Sequence, residues 1–78
     1  MPTVLKLGAY RFFFYANERN EPAHVHVERA GEKAKFWLDP VRLQHSGGFK
    51  RVEIGRIQKL VVDNREYLNR SWDEFFSE

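Results

Sequence analysis

The chain has 78 residues, the length of one small domain, and we interpret residues 1–78 as a single domain. It contains no cysteine, which excludes disulfides and cysteine-ligated zinc sites and fits a protein of the reducing cytoplasm. Its 13 basic and 11 acidic residues give a net charge of +2, which permits contact with nucleic acid without requiring it. Since no apolar stretch reaches signal-peptide or membrane-spanning length, we expect a cytoplasmic protein without membrane contact.

The amino-terminal part, about residues 3–44, has the patterns of an antiparallel sheet. In "YRFFFY" the period of two places Arg11 and Tyr15 on the same face. The runs "HVHVER" and "KAKFWL" flank "AGE", where Gly31 permits a positive φ, and this arrangement predicts a hairpin. "VRLQ" can form a short fourth strand, and residues 4–7 a further short edge strand. The sheet is therefore expected to have three to four strands.

The carboxyl-terminal part, about residues 50–76, has the pattern of an amphipathic helix. Apolar residues recur in steps of three and four from Ile54 to Phe75, and no proline interrupts them. This periodicity predicts one long helix of roughly 25 residues, with a break into two helices near Asp63–Asn64 as the alternative. A helix packed on a small sheet makes a two-layer α+β fold.

One face of the predicted hairpin collects polar and aromatic side chains. Alternation along the two strands places the following residues there: His24, His26, Glu28, Lys35, Trp37 and Asp39. The intervening valines face the helix, because a shift of one residue would bury charges instead. This face is either a functional site or the solvent-exposed side of an ordinary sheet, where such residues form common cross-strand pairs.

Metal binding is one interpretation of this face. The imidazoles of His24 and His26 can share a metal ion, with Glu28 or Asp39 as an oxygen ligand. A His-x-His pattern alone is a weak signal of a metal site, so the sequence predicts no cofactor.

RNA chemistry is a second interpretation. His24 and His26 can act as a catalytic acid/base pair that cleaves RNA without a metal, because imidazoles titrate near neutral pH. The predicted substrate-binding residues are Arg11, Tyr15, Lys35 and Trp37. Their cations would contact phosphate and their rings would stack on bases. A third interpretation is binding of single-stranded nucleic acid without any chemistry, by rings and cations that alternate in the sequence: Trp37, Tyr15 and Phe13 with Arg11, Lys35 and Arg29.

The segments "FFFYANERNEPAHVHVERAGEKAKFWLDPV", "GGF" and "RIQKLVVDNREYLNRSWDEFF" closely resemble the bacterial domain-of-unknown-function family numbered 4160. The resemblance covers about residues 10–76. It implies a small protein of a two-gene module, often considered a toxin–antitoxin candidate, with a cognate partner encoded by the neighbouring gene. It implies no settled activity and no verified catalytic residues.

Two functional hypotheses follow. In the first, the protein is a component of a type II toxin–antitoxin-like module, preferentially the toxin, which binds RNA and can cleave it as a metal-independent endoribonuclease. In the alternative, it is a non-enzymatic interaction module: an antitoxin or adaptor half, or a dimerising partner-binding protein. Both hypotheses predict a homodimer or a complex with the cognate protein, and only the first requires reactive histidines.

Overall fold

A computed structural model describes residues 3–77, in which a five-stranded sheet packs against two helices. The strands are β1 (Thr3–Leu7), β2 (Tyr10–Phe13), β3 (His24–Arg29), β4 (Glu32–Leu38) and β5 (Val41–His45), the helices are α1 (Arg51–Asp63) and α2 (Arg65–Phe75), and a 3-10 turn spans Ala16–Glu18. The predicted α+β class is confirmed. Among residues 3–77, no helix combines the length and the apolar character needed to cross a bilayer.

The sheet is an antiparallel meander in the order β1-β2-β3-β4-β5. The expected count of three to four strands is too low, because both short segments weighed as candidates, at residues 4–7 and in "VRLQ", form edge strands. In contrast, β2 ends at Phe13, earlier than the aromatic run suggests, since the chain turns away to form a loop. The central strand is β3, so its side chains are covered by neighbours on both sides.

The hairpin of β3 and β4 has the predicted register and turn. Val25 pairs with Phe36 and His26 pairs with Lys35, while Gly31 in the turn has a φ of 86°. As a result, the apolar positions of both strands face the helices and their polar positions share the opposite face.

The core lies between the sheet and the helices. It contains Phe12, Phe14, Val25, Val27, Ala34, Phe36, Leu38, Phe49, Ile54, Ile57, Val61, Leu68 and Trp72. Fully burying a phenylalanine contributes about 1.5–3 kcal/mol relative to leaving it exposed. The aromatic richness of the sequence is therefore used mostly inside the domain, and Tyr67 is the one clearly exposed aromatic residue of the segment 3–77.

The helical part is broken at Asn64, so the alternative of two helices is confirmed in place of one long helix. The Asn64 backbone, with φ −114° and ψ 17°, leaves the helical region. Its side-chain Nδ2 donates a hydrogen bond to the carbonyl oxygen of Leu60 at 2.8 Å. Asparagine competes in this way for backbone acceptors and is a poor residue for a helix interior. Beyond the break, α2 places Trp72 against Phe14, with ring centroids 5.3 Å apart.

A polar clamp joins α1 to the sheet. Arg29 donates to both carboxylate oxygens of Glu53, at 2.6 and 3.1 Å. The Tyr10 hydroxyl donates to Glu53 Oε2 at 2.8 Å. The hydrogen bonds from Arg29, followed by that from Tyr10, hold the pKa of the Glu53 carboxyl below its usual range.

Gly47 and Gly55 differ in whether the structure leaves room for a side chain at their positions. Gly47, in the turn after β5, has a φ of 60°, and a Cβ there would overlap the backbone oxygen of Lys33. Gly55, inside α1, would place a Cβ in open space.

Alanine substitutions at these glycines should change stability in opposite directions. We expect Gly55→Ala to raise the free energy of unfolding by about 0.5–1 kcal/mol, because glycine weakens a helix interior. Gly47→Ala should lower it by about 1–3 kcal/mol, since the left-handed backbone and the overlap with Lys33 both oppose a side chain. Urea denaturation of both variants measures this, and stabilisation by Gly47→Ala would contradict the described turn.

The clamp predicts an acid-dependent loss of stability. Because the pKa of Glu53 is lower in the folded than in the unfolded chain, its contribution is present above the unfolded value of about 4.3. That contribution is lost as the pH falls through the folded value. The difference in free energy of unfolding between wild type and Glu53→Gln should therefore be largest near neutral pH and shrink below about pH 4.3.

Urea denaturation at a series of pH values measures this difference. Arg29→Gln is the matched variant, because removing the cation should reduce the same acid-dependent step. A difference that stays constant from neutral to acid pH would show that the ionised carboxylate of Glu53 does not supply the stability.

Candidate functional site

The predicted polar face exists, and strands β2, β3 and β4 bring most of its members together. The cross-strand pairs are Arg11 with Glu28, Phe13 with His26, His26 with Lys35, and His24 with Trp37. Tyr15 follows β2, and its ring lies 4.6 Å from that of His26. The predicted catalytic and substrate-binding residues therefore lie on one face of the sheet, and the His24 ring also reaches Trp72 of α2.

A loop, residues 14–23, folds back over this face and adds a carboxylate. The 3-10 turn positions Glu18 so that its Oε1 lies 2.7 Å from His24 Nε2 and 2.8 Å from His26 Nε2. Sequence reasoning missed Glu18, because a loop has no periodicity from which to infer where a side chain points. The only available signal was an acidic residue a few positions before the histidines.

Both histidines are buried, so the interpretation of an ordinary solvent-exposed sheet face does not apply to them. His24 is 0% exposed and His26 is 9% exposed. The His24 ring lies 4.8 Å from that of Trp72 and 5.8 Å from that of Trp37. The His26 ring stacks on Phe13 at 5.4 Å. Aromatic rings and the loop therefore exclude most solvent from the two imidazoles.

The hydrogen bonds of His24 determine where a proton must lie. Its Nδ1 is 2.9 Å from the carbonyl oxygen of Pro22, which can only accept, so Nδ1 carries a hydrogen. The other ring nitrogen, Nε2, lies 2.7 Å from a carboxylate oxygen of Glu18. Both ring nitrogens of His24 therefore contact oxygen atoms, which fixes the orientation of the ring.

Burial and hydrogen bonding shift the pKa values of Glu18 and His26 in opposite directions. Burial alone would raise the pKa of the Glu18 carboxyl, but its hydrogen bonds with His24 and His26 outweigh burial and hold that pKa below its usual range. Burial lowers the pKa of the His26 imidazole, and the neighbouring Glu18 carboxylate offsets only part of the lowering. The arrangement therefore favours an ionised Glu18 beside a neutral His26.

Both cations of the predicted substrate-binding set are paired with acids. Arg11 forms an ion pair with Glu28 and also lies over the ring of Phe13, 4.2 Å from its centroid. Lys35 Nζ is 2.6 Å from Glu21 Oε1 on the covering loop. A phosphate group would have to displace these carboxylates to reach either cation.

Two acidic residues predicted as oxygen ligands lie elsewhere. Glu28 pairs with Arg11, and the carboxylate that meets the histidines is that of Glu18. Asp39 is exposed in the turn after β4 and does not join the polar face, because the strand ends at Leu38.

Asp39 instead lines a cleft of about 620 Å³ between the β4–β5 turn and the helices. The cleft is lined by Leu38, Asp39, Pro40, Val41, Val62, Arg65, Glu66, Asn69 and Arg70. It shares no lining residue with the histidine cluster, so it is a separate feature of the surface.

The histidine cluster has the donor set of a transition-metal site. Within residues 3–77, the side chains that converge in this way are Glu18, His24 and His26, whose ligating atoms all lie within 4.8 Å of one another. Imidazole nitrogen and carboxylate oxygen are ligands that zinc accepts. Chemically, the cluster can share a proton, bind a metal ion or, if uncovered, exchange protons with a substrate.

Fold and site together define a small α+β domain whose sheet carries a buried His–Glu cluster under a loop. The family model described as "Domain of unknown function (DUF4160)" matches residues 9–73, and the chain belongs to this family. No curated protein and no solved structure matches the chain.

Proposed function

We propose that the protein is the partner-binding, non-enzymatic half of a cytoplasmic toxin–antitoxin-like pair in bacteria. The two-gene setting is what the resemblance to the family implies. Within that setting, one observation favours a binding role over catalysis. His24 is fully buried, with one ring nitrogen bonded to Pro22 and the other to Glu18.

Catalysis by acid and base requires that both groups reach the substrate within hydrogen-bond distance. In this structure the Nε2 atoms of His24 and His26 both meet Glu18. The neighbouring cations, Arg11 and Lys35, are neutralised by acids. A polar cluster with these properties stabilises a loop on a sheet, which is a structural role.

The sheet has two edge strands, β1 and β5, and β5 is the surface that we assign to the partner. One side of the β5 backbone has no strand neighbour within residues 3–77. Arg42 to His45 are exposed, and Leu43 presents 37% of its surface. An exposed edge strand can pair with a strand of another chain. Main-chain hydrogen bonds between the two strands then give affinity, and contacts with every second side chain of the added strand give specificity.

The neighbouring gene product should therefore copurify with this protein through β5. We expect Leu43→Lys to reduce the copurified partner at least tenfold, because lysine on an edge strand opposes strand addition. The measurement is affinity purification after coexpression with a tagged partner, followed by light scattering to give the mass of the complex.

Val52→Lys is the matched control, since Val52 is an apolar residue of α1 that is 74% exposed. This variant should retain the partner. Equal loss of the partner in both variants, or no complex with the wild-type protein, would contradict the assignment of β5.

A metal-independent endoribonuclease is the second candidate, and one specific observation favours it. The two imidazoles lie 5.2 Å apart, share one carboxylate and have Arg11, Tyr15 and Lys35 on the same face. For this candidate, the loop that carries Glu18 would have to open before RNA could reach the histidines.

Induction of this gene alone distinguishes the two candidates. The non-enzymatic proposal predicts intact total RNA, whatever the effect on growth. The endoribonuclease hypothesis predicts growth arrest with loss of RNA, which His26→Gln would prevent and which coexpression of the neighbour would reverse. His45→Gln, a change of the exposed histidine on β5, serves as the control. RNA loss that depends on His26 and not on His45 would overturn the non-enzymatic proposal.

A further inference from the structure

We propose that Glu18, His24 and His26 bind a divalent transition-metal ion of the zinc class, through two imidazole nitrogens and one carboxylate oxygen. This site is independent of the proposed partner and of β5. It also differs from the ligand set suggested by the strand pattern, because its oxygen ligand comes from the loop and not from β3.

The positions of the ligands support such a site. His24 and His26 are alternate residues of the central strand, so their imidazoles project from the same face at a spacing set by the sheet. The covering loop brings the Glu18 carboxylate to both Nε2 atoms. All three ligating atoms lie within 4.8 Å of one another, in a place that is mostly closed to solvent.

The tautomer of His24 supports metal binding more strongly than the spacing does. Metal-ligating histidines usually donate their other ring N–H to a carbonyl or a carboxylate, which fixes the tautomer and raises ligand basicity. His24 Nδ1 does this to the Pro22 carbonyl oxygen at 2.9 Å. This hydrogen bond directs the His24 Nε2 atom at the Glu18 carboxylate oxygen, 2.7 Å away, where an ion would lie.

The dimensions of the cluster show how the ligands must move to hold an ion. Zinc bonds of about 2.0–2.1 Å in a tetrahedral arrangement place the ligating atoms about 3.4 Å apart. The contacts from Glu18 Oε1 to the two Nε2 atoms are 2.7 and 2.8 Å. Glu18 must therefore withdraw from the two imidazoles by roughly half an ångström. The ligating atoms of the cluster lie within 4.8 Å of one another, so the two imidazole nitrogens must also approach each other by up to about 1.4 Å. Movement of the loop would supply the first shift, and rotation of the histidine side chains the second.

The donor set predicts which ions are bound. Two imidazoles and one carboxylate favour zinc, cobalt or nickel, whereas magnesium and calcium prefer sites made of oxygen ligands. Three protein ligands leave a further coordination position for water. A bound ion would join the loop to β3 and so hold the loop closed.

Metal titration of tag-free, chelator-treated protein tests the proposal. We expect about one equivalent of Zn²⁺ to bind and to raise the thermal midpoint, and Mg²⁺ to leave that midpoint unchanged. Co²⁺ should give the visible absorption bands of a nitrogen- and oxygen-ligated ion. Isothermal titration calorimetry and elemental analysis provide the stoichiometry.

Matched variants locate the ion. Glu18→Gln and His26→Gln should each weaken Zn²⁺ binding at least tenfold, while Glu28→Gln and Asp39→Asn should keep the wild-type affinity. Circular dichroism verifies that each variant is folded; if one is not, the Co²⁺ spectrum of the wild-type protein decides. Absence of stoichiometric binding, or equal binding by Glu18→Gln, His26→Gln and wild type, would overturn the proposal. Neither result bears on partner binding at β5.

Discussion

The contact on which the rest of this structure depends is the shared carboxylate of Glu18. It meets the Nε2 atoms of two buried histidines at 2.7 and 2.8 Å. Leaving a buried polar group without a partner costs about 1–3 kcal/mol. Without Glu18, the sheet would carry two such groups on the face opposite its helices. The loop, the aromatic rings around His26 and the ion pair of Lys35 with Glu21 are all arranged about this one contact.

Much of the fold could be predicted from periodicity. Alternation in β3 and β4 correctly separates the core face from the polar face, because a strand has a strict period of two. The helical break was only an alternative, since Asn64 lies on the apolar stripe and its effect depends on a side-chain hydrogen bond. The position of Glu18 could not be predicted, because loops lack a repeating geometry. The site was therefore half predictable: its histidines lie on a strand and its carboxylate on a loop.

Burial changes how the same residues are interpreted. As a sequence, histidines beside lysine, arginine and tryptophan suggest RNA chemistry. In the structure, the histidines are enclosed and the cations are paired with Glu21 and Glu28. Membership of DUF4160 assigns no activity that would decide the matter. A closed cluster is the arrangement expected of a structural or metal site, whereas the β5 edge of the sheet is exposed.

Because β3 is the central strand, the two histidines and Glu18 should become exposed to solvent at different free-energy costs. Local opening of a protein spans free energies from near zero, for loops, up to the full stability of the domain, for core strands. His24 and His26 lie on the central strand and should become exposed to solvent only when the whole domain unfolds. Glu18 belongs to a loop, the kind of segment that opens at the lowest free-energy cost. Opening of the loop would remove the carboxylate and leave the imidazoles in place, so entry of an ion or a substrate to the histidines depends on the loop and not on the sheet.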